Sequence, residues 1–191
     1  MSYLGNAGVF LVSVLFGFFA VLVAVRLLMQ QVRADFYNPL AQFVVKATNP
    51  LLRPLRRVIP PLGRFDSASL VLWLILTVAE LSLITLLLGR PFPAPAGLFL
   101  WALADMLNLL IWIWLFCIFV LAIASWINPG SYNPVLAIMA RISEPVLKPV
   151  RRLLPPMGGL DLSPMVTILA LFLAQMLLVA PLRDLAFRLA A

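Results

Sequence analysis

Four long apolar stretches constrain this chain more than any other feature of its sequence. They lie at about residues 7–29, 68–88, 100–127 and 164–182. Roughly 20 apolar residues of helix cross a hydrocarbon core about 30 Å thick, and a single segment in lipid satisfies its backbone hydrogen bonds by forming a helix. The composition agrees, because 64% of the residues are hydrophobic and only 11% are charged. The sequence therefore predicts an all-α membrane protein with four transmembrane helices.

An internal repeat at an offset of 95 residues is the second constraint. The segment NPLLRPLRRVIPPLGRFD at 49–66 returns as EPVLKPVRRLLPPMGGLD at 144–161. Both copies run in the same direction between two apolar stretches, so we predict two parallel two-helix repeats related by an axis along the membrane normal. The predicted boundaries are residues 1–95 with a connector at 30–67, then residues 96–191 with a connector at 128–163.

Basic residues concentrate in the two connectors. Eleven of the 14 lysines and arginines lie in a connector or at the adjoining end of the first span. The other three are Arg90, Arg183 and Arg188. The positive-inside rule then predicts that both connectors face the cytoplasm and both termini lie on the periplasmic or outer side. Since the net charge of +7 sits beside apolar segments, anionic lipid headgroups are the expected partner and nucleic acid is not.

Each connector has the pattern of a short amphipathic helix. We predict that these helices begin at Pro50 and Pro145, because proline suits the first helical position, and that Pro54 and Pro149 cause a kink or a restart. Apolar residues repeat at helical spacing on one side, and the other side carries a basic triplet: Arg53, Arg56 and Arg57 in the first copy, Lys148, Arg151 and Arg152 in the second. Two interpretations stand. The triplets either set the topology and are solvated, or bind lipid headgroups or a protein partner.

A Pro-Pro-x-Gly-x-x-Asp element then leads each connector into the next span. Glycine suits a tight turn, and an aspartate at a helix start ordinarily accepts hydrogen bonds from the first amides of that helix. We therefore predict a structural turn rather than a catalytic site. Its residues are Pro60, Pro61, Gly63 and Asp66, and again Pro155, Pro156, Gly158 and Asp161.

Polar residues inside the spans are the other candidate site, since such residues are costly in lipid and are functional candidates by default. They are Glu80, Asp105, Asn108 and Gln175. Glu80 and Gln175 are separated by the repeat offset, which places them at equivalent depths. We expect a polar cluster that either joins helices by hydrogen bonds or carries protons or cations. No lysine or arginine is expected at that depth, which favours protonated carboxyl groups.

Enzymatic chemistry finds little support in the sequence. Histidine does not occur, and the single cysteine, Cys117, lies in an apolar stretch as a buried side chain would. A disulfide within one chain and a histidine or cysteine metal cluster are therefore excluded. No nucleophile with a neighbouring base is visible either. We expect a protein without enzymatic activity, cofactor or metal.

At the connectors the chain resembles a known family. The pattern Pro-x-x-x-Pro-x-Arg-Arg-x-x-Pro-Pro-x-Gly-x-x-Asp, met at 50–66 and 145–161, is similar to that of the YggT family of small bacterial membrane proteins, also called YlmG. Ser125-Trp126-Ile127 matches the tryptophan pattern before the connector, and ADFYNPLAQFVVKATNP resembles the first repeat of proteobacterial members. The first copy departs from the pattern at Arg64, where a second glycine is usual, and at Ala68-Ser69, where Ser-Pro is usual.

This resemblance implies a location in the bacterial inner (plasma) membrane and a multi-pass architecture. Members of the family are associated with osmotic tolerance and potassium homeostasis in proteobacteria, with cell-division gene neighbourhoods in other bacteria, and with nucleoid organisation and cytochrome assembly in plastids. The leading hypothesis is a non-enzymatic adaptor or assembly protein whose connectors bind anionic lipid headgroups or a membrane or cytoplasmic protein partner. A transporter or channel component that uses Glu80 and Asp105 is the alternative. A homo-oligomer is a further candidate assembly, since four helices leave little room for a pore.

Overall fold

The computed structural model describes residues 3–61, 65–127, 133–154 and 161–190, and these residues form helices and no strand. The helices are α1 (Tyr3–Gln31), α2 (Pro39–Val58), α3 (Ser67–Leu87), α4 (Pro95–Ile127), α5 (Pro134–Leu153), α6 (Ser163–Ala174) and α7 (Ala180–Ala190). A π-helical turn, Gln175–Val179, joins α6 to α7. Four residues of the predicted turn elements lie outside the described residues: Gly63, Pro155, Pro156 and Gly158.

Four helical segments of the described chain are long and apolar enough to cross a membrane: α1, α3, α4 and the continuous helix Ser163–Ala190. This confirms the predicted all-α class with four transmembrane helices. Two ends differ from the prediction, because α4 begins at Pro95 rather than near 100 and the fourth helix continues to Ala190 rather than ending near 182. Hydropathy marks the part of a helix that lipid tolerates, and a helix can continue past that part.

The four spans pack in pairs. α1 lies along α3, α4 lies along α6 and α7, and α3 contacts α4 to join the two pairs. The main apolar cluster is shared by several helices, since Val23 and Met29 of α1, Trp73 of α3 and Ile113 of α4 are all buried in it. This packing brings the connectors at the ends of the spans next to each other.

The connector helices α2 and α5 begin earlier than predicted. Asn38 and Asn133 are their N-caps, with side-chain oxygens that accept from Leu40 N at 3.0 Å and Val135 N at 2.8 Å. The predicted starts at Pro50 and Pro145 were wrong. The rule that proline occupies the first helical position holds, but it applies to the Asn-Pro pairs upstream.

The prolines inside these helices do not cause the predicted restart. α2 continues through Pro50 and Pro54, and α5 continues through Pro145 and Pro149. All four prolines are exposed. The carbonyl groups that lose a donor belong to the residues four positions earlier, Lys46, Pro50, Arg141 and Pro145, and these residues are exposed as well. Water can therefore bind those carbonyl groups, and the helices continue.

The two connector helices meet at their N-terminal ends. The Asn38 side chain donates from Nδ2 to the Pro134 carbonyl oxygen at 2.6 Å, while its oxygen caps α2. One amide group therefore both starts α2 and ties it to α5. The two helices lie on the same side of the four-span bundle, which we call the connector face.

A close approach of α4 and α7 yields a test of the fold. A Cβ atom on Gly97 of α4 would collide with the backbone of Ala190 of α7, whereas one on Gly17 of α1 would meet nothing within 4 Å. Gly97→Ala should destabilise the protein by about 1–3 kcal/mol through overpacking, and Gly17→Ala should not. Thermal unfolding in detergent measures both. Equal unfolding midpoints for the two variants would show that the crossing is not this close.

Candidate functional site: the connector face

The helices α2 and α5 each turn one side to the bundle and the other outward. On α2 the buried residues are Ala41, Val44, Thr48 and Leu52, and on α5 they are Ile138, Ile142, Ser143 and Leu147. The basic residues of both helices are exposed: Lys46, Arg53, Arg56 and Arg57 on α2, Arg141, Lys148, Arg151 and Arg152 on α5. The predicted basic triplets therefore lie on an open surface at one face of the bundle.

A buried arginine fastens α2 to the first span. Arg26, near the end of α1, is only 4% exposed. Its Nη1 donates to Thr48 Oγ1 at 2.5 Å, to Asn49 Oδ1 at 3.0 Å and to the Val45 carbonyl oxygen at 3.3 Å. A buried guanidinium is costly unless it is hydrogen-bonded, so these three acceptors fix where α2 lies. From the sequence, Arg26 is predicted only to contribute to the topology signal. A lone charged residue at the end of an apolar span was the available sign of a buried role.

Asp66 fastens the far end of α2. It is the N-cap of α3, is 1% exposed, and accepts from Ser69 N at 3.2 Å, Ser69 Oγ at 2.6 Å and Arg56 Nη2 at 2.5 Å. Burial acts to raise the pKa of this carboxyl group, but the hydrogen bonds from Ser69 and Arg56 outweigh it and hold the pKa below its usual range. The predicted role of Asp66 as a cap is confirmed. Pro60 joins the same turn by accepting from Ser67 Oγ at 2.7 Å, and Pro61 is exposed.

The second repeat has a looser version of this turn. Asp161 accepts from Ser163 N at 2.9 Å and from Arg151 Nε at 3.1 Å, yet the Arg151 and Asp161 side chains are 46% and 45% exposed. Asp161 precedes the N-cap of α6, which is Leu162. An ion pair this exposed contributes little to stability. A different contact attaches α5 to the bundle, because Trp114 of α4 donates from Nε1 to the Ile142 carbonyl oxygen at 3.1 Å.

The six predicted binding residues therefore divide into two groups. Arg56 and Arg151 make ion pairs within the chain. The others are exposed and make no ion pair with the part of the chain that the structure describes: Arg53, Arg57, Lys148 and Arg152. Among the six predicted residues, the positive charge that is available to a ligand lies on these four.

The polar residues inside the spans include two hydrogen-bonded pairs. Arg183 donates to Asp105 Oδ1 from Nη2 at 2.6 Å and from Nε at 3.1 Å, and Gln175 Nε2 donates to Asn108 Oδ1 at 2.6 Å. The prediction that no basic residue reaches Asp105 was wrong, because the fourth helix continues past residue 182 and carries Arg183 to it. Glu80 makes no ion pair within the described residues. Both pairs join α4 to the fourth helix.

No group of three or more histidine, cysteine, aspartate or glutamate side chains that could hold a metal ion occurs within the described ranges. Cys117 is buried in the apolar core and unpaired.

Comparison with known proteins identifies the family. The sequence model of the CCB3/YggT family matches the chain twice, at residues 5–87 and 100–182. The chain belongs to the CCB3/YggT family. No solved structure is significantly similar to it.

Several bacterial relatives match nearly the whole chain. An uncharacterized protein of Pseudomonas aeruginosa, PA0392, is 42% identical over 180 residues, which are 94% of this chain and 91% of that protein. The uncharacterized protein YggT of Escherichia coli K12 is 40% identical over 173 residues, covering 90% and 88%. A protein encoded in the proC 3′ region of Vibrio alginolyticus is 36% identical over 178 residues, covering 91% and 94%.

Both stretches that match the CCB3/YggT family contain a connector helix and the two spans beside it. Arg26 and Asp66 lie inside the first matched stretch, whereas Arg183 lies just beyond the end of the second. The division into repeats at residue 95 stays a prediction from the sequence.

The low pKa of Asp66 predicts a stability that depends on pH. A carboxylate whose pKa is depressed in the folded state stabilises the protein above its unfolded pKa of about 3.9 and loses that effect as the pH falls through the folded value. Asp66→Asn should destabilise the protein by about 1–2 kcal/mol near neutral pH, because it removes the charge that Arg56 and Ser69 bind. The loss stays moderate because Arg56 is partly exposed. The difference from wild type should shrink below about pH 4.

Thermal unfolding followed by tryptophan fluorescence across this pH range measures that difference. Asp161→Asn is the matched control, since the same ion pair is exposed in the second repeat, and it should change the midpoint little. A constant difference between wild type and Asp66→Asn at every pH would contradict a charged Asp66.

Proposed function

We propose that the chain is a non-enzymatic adaptor of the bacterial inner membrane that binds anionic lipid headgroups through α2 and α5. In this proposal the connector face lies in the cytoplasm and both termini lie on the periplasmic or outer side. The two helices act as amphipathic interfacial segments, with their buried sides on the bundle and their cations among the phosphates. Holding anionic lipid at a fixed place gives a membrane or cytoplasmic protein partner a defined surface, in support of envelope function under osmotic stress.

One observation carries this proposal. Four exposed cations on the connector face, Arg53, Arg57, Lys148 and Arg152, have no ion-pair partner among the described residues. Each lysine or arginine near an anionic membrane surface contributes about 1 kcal/mol of attraction. The helices that carry these cations are held against the spans by Arg26 and Trp114, so the cations stay at the level where the spans leave the bilayer.

Ion transport is less well supported than lipid binding. The transport hypothesis needs intramembrane carboxyl groups that can exchange a proton or cation. Asp105 is held by two hydrogen bonds from Arg183, and Asn108 and Gln175 bond to each other. These contacts favour a role in joining helices. Glu80 interacts electrostatically with Asp105 and makes no ion pair within the described residues.

Removing the four available cations tests the adaptor proposal. A variant with Arg53→Gln, Arg57→Gln, Lys148→Gln and Arg152→Gln should co-purify with much less anionic lipid than wild type, because attraction to phosphate is lost. Lipids extracted with the purified protein are quantified by mass spectrometry. The control is Arg90→Gln with Arg188→Gln, which removes cations from the opposite face and should leave the lipid composition unchanged.

Cells that carry the four-site variant should also lose hyperosmotic growth tolerance relative to cells that carry the control. Because lost cations can reverse topology, orientation is checked by labelling a cysteine introduced as Tyr3→Cys, and only correctly inserted protein is compared. Undiminished anionic lipid with the four-site variant in the correct orientation would overturn the proposal.

A further inference from the structure

A groove of about 390 Å³ opens on the connector face between the end of α1 and α5. Gln31, the last residue of α1, and Val32, just after it, form one wall. The other wall comes from α5 and includes Arg141, Glu144, Lys148 and Arg152. Two prolines of α5, Pro145 and Pro149, complete the apolar part of the lining. The groove thus combines one strip of cations with a small apolar floor, at the level where the first span ends.

The charge in the groove is largely unopposed. Arg141, Lys148 and Arg152 follow each other at spacings of seven and four residues, which places them on one side of the helix over about 16 Å. None of the three makes an ion pair within the described ranges. The single carboxylate, Glu144, lies 3.7 Å from Arg151, whose side chain is not part of the lining. Three cations and one carboxylate leave the groove with a net charge of +2.

We propose that this groove binds the headgroup of one dianionic phospholipid, with two phosphodiester groups as in cardiolipin. Two negative charges match the net charge of the groove, and the length of the cation strip lets arginine at each end meet a different phosphate. The carbon atoms of the headgroup glycerol pack on Val32 and the two prolines. This inference rests on the proposed function and names the lipid and its place.

The first repeat supplies a matched comparison. At the repeat offset Lys46, Arg53 and Arg57 stand where Arg141, Lys148 and Arg152 stand in the second, and all six side chains are exposed. The neighbourhoods differ, because Asn49 accepts a hydrogen bond from Arg26, whereas its counterpart Glu144 faces the groove. Equal numbers of equivalent charges can therefore be removed with and without touching the groove.

Two triple variants test the proposal in the full-length protein. The groove variant carries Arg141→Gln, Lys148→Gln and Arg152→Gln, and the control variant carries Lys46→Gln, Arg53→Gln and Arg57→Gln. Native mass spectrometry counts the cardiolipin molecules that each protein binds during a lipid titration in detergent. A second titration uses phosphatidylglycerol at the same total phosphate concentration. A third uses phosphatidylethanolamine, a zwitterionic lipid, as the control. Thermal unfolding confirms that both variants are folded, as expected for exposed side chains.

The wild type should hold one cardiolipin more tightly than the two equivalents of phosphatidylglycerol. The groove variant should bind cardiolipin at least about tenfold more weakly. The control variant loses only the general attraction that Arg53 and Arg57 add to the connector face, so it should bind cardiolipin clearly more tightly than the groove variant does. Inorganic phosphate in large excess should not displace the lipid, because the apolar floor and both phosphates contribute to binding.

Other outcomes separate the two proposals. Equal weakening in both triple variants, or equal affinity for phosphatidylglycerol at equal phosphate, would overturn the groove site and leave the adaptor proposal intact. Displacement by inorganic phosphate alone would also overturn it, since the groove would then be a simple phosphate site. Unchanged cardiolipin binding in both variants would overturn the groove site and the proposed headgroup binding together.

Discussion

The connector face depends on one buried charge, the Arg26 guanidinium at the end of α1. A guanidinium that is 4% exposed needs acceptors, and the described residues supply them only from α2: Thr48, Asn49 and the Val45 carbonyl. Moving α2 away would leave the charge without these partners, at a cost that exceeds the net value of ordinary hydrogen bonds. The arginine therefore determines where the first connector helix lies against the spans. Asp66 then fixes the other end of that helix through Arg56 and starts α3 through Ser69.

The second repeat meets the same requirement with different chemistry. Counting back or forward by 95 residues, Arg26 corresponds to Leu121, and Trp114 corresponds to Phe19. Each connector helix is thus held by a hydrogen-bond donor from a span. The guanidinium of Arg26 on α1 holds α2, and the indole N–H of Trp114 on α4 holds α5. The indole binds the Ile142 carbonyl and Glu144 lines the groove, whereas Arg26 binds Asn49, the counterpart of Glu144 on α2. The two connector helices thus differ at equivalent positions, and the groove lies beside α5 and the end of α1.

The sequence predicted those parts of the structure that depend on lipid as a solvent. Four spans followed from apolar length alone, and Asp66 as a helix cap followed from its place before α3. The start of α2 was missed because two Asn-Pro pairs satisfy the same local rule, at residues 38 and 49, and only tertiary contacts select the first. The Asp105–Arg183 pair was missed because hydropathy ends a span where charge begins, while the helix itself continues.

The role of Arg26 is tested most directly by amide hydrogen exchange in lipid nanodiscs. Arg26→Met keeps an apolar side chain of similar length in the bundle, and Arg90→Met removes the same charge from an exposed position on the opposite face. Arg26→Met should make the α2 amides from 45 to 58 exchange at least about tenfold faster, which is a loss of about 1.4 kcal/mol of local protection. The α5 amides should keep wild-type rates, as should α2 in Arg90→Met. Unchanged α2 exchange in Arg26→Met would contradict this role of Arg26, because the connector helix would then be held by its apolar side alone.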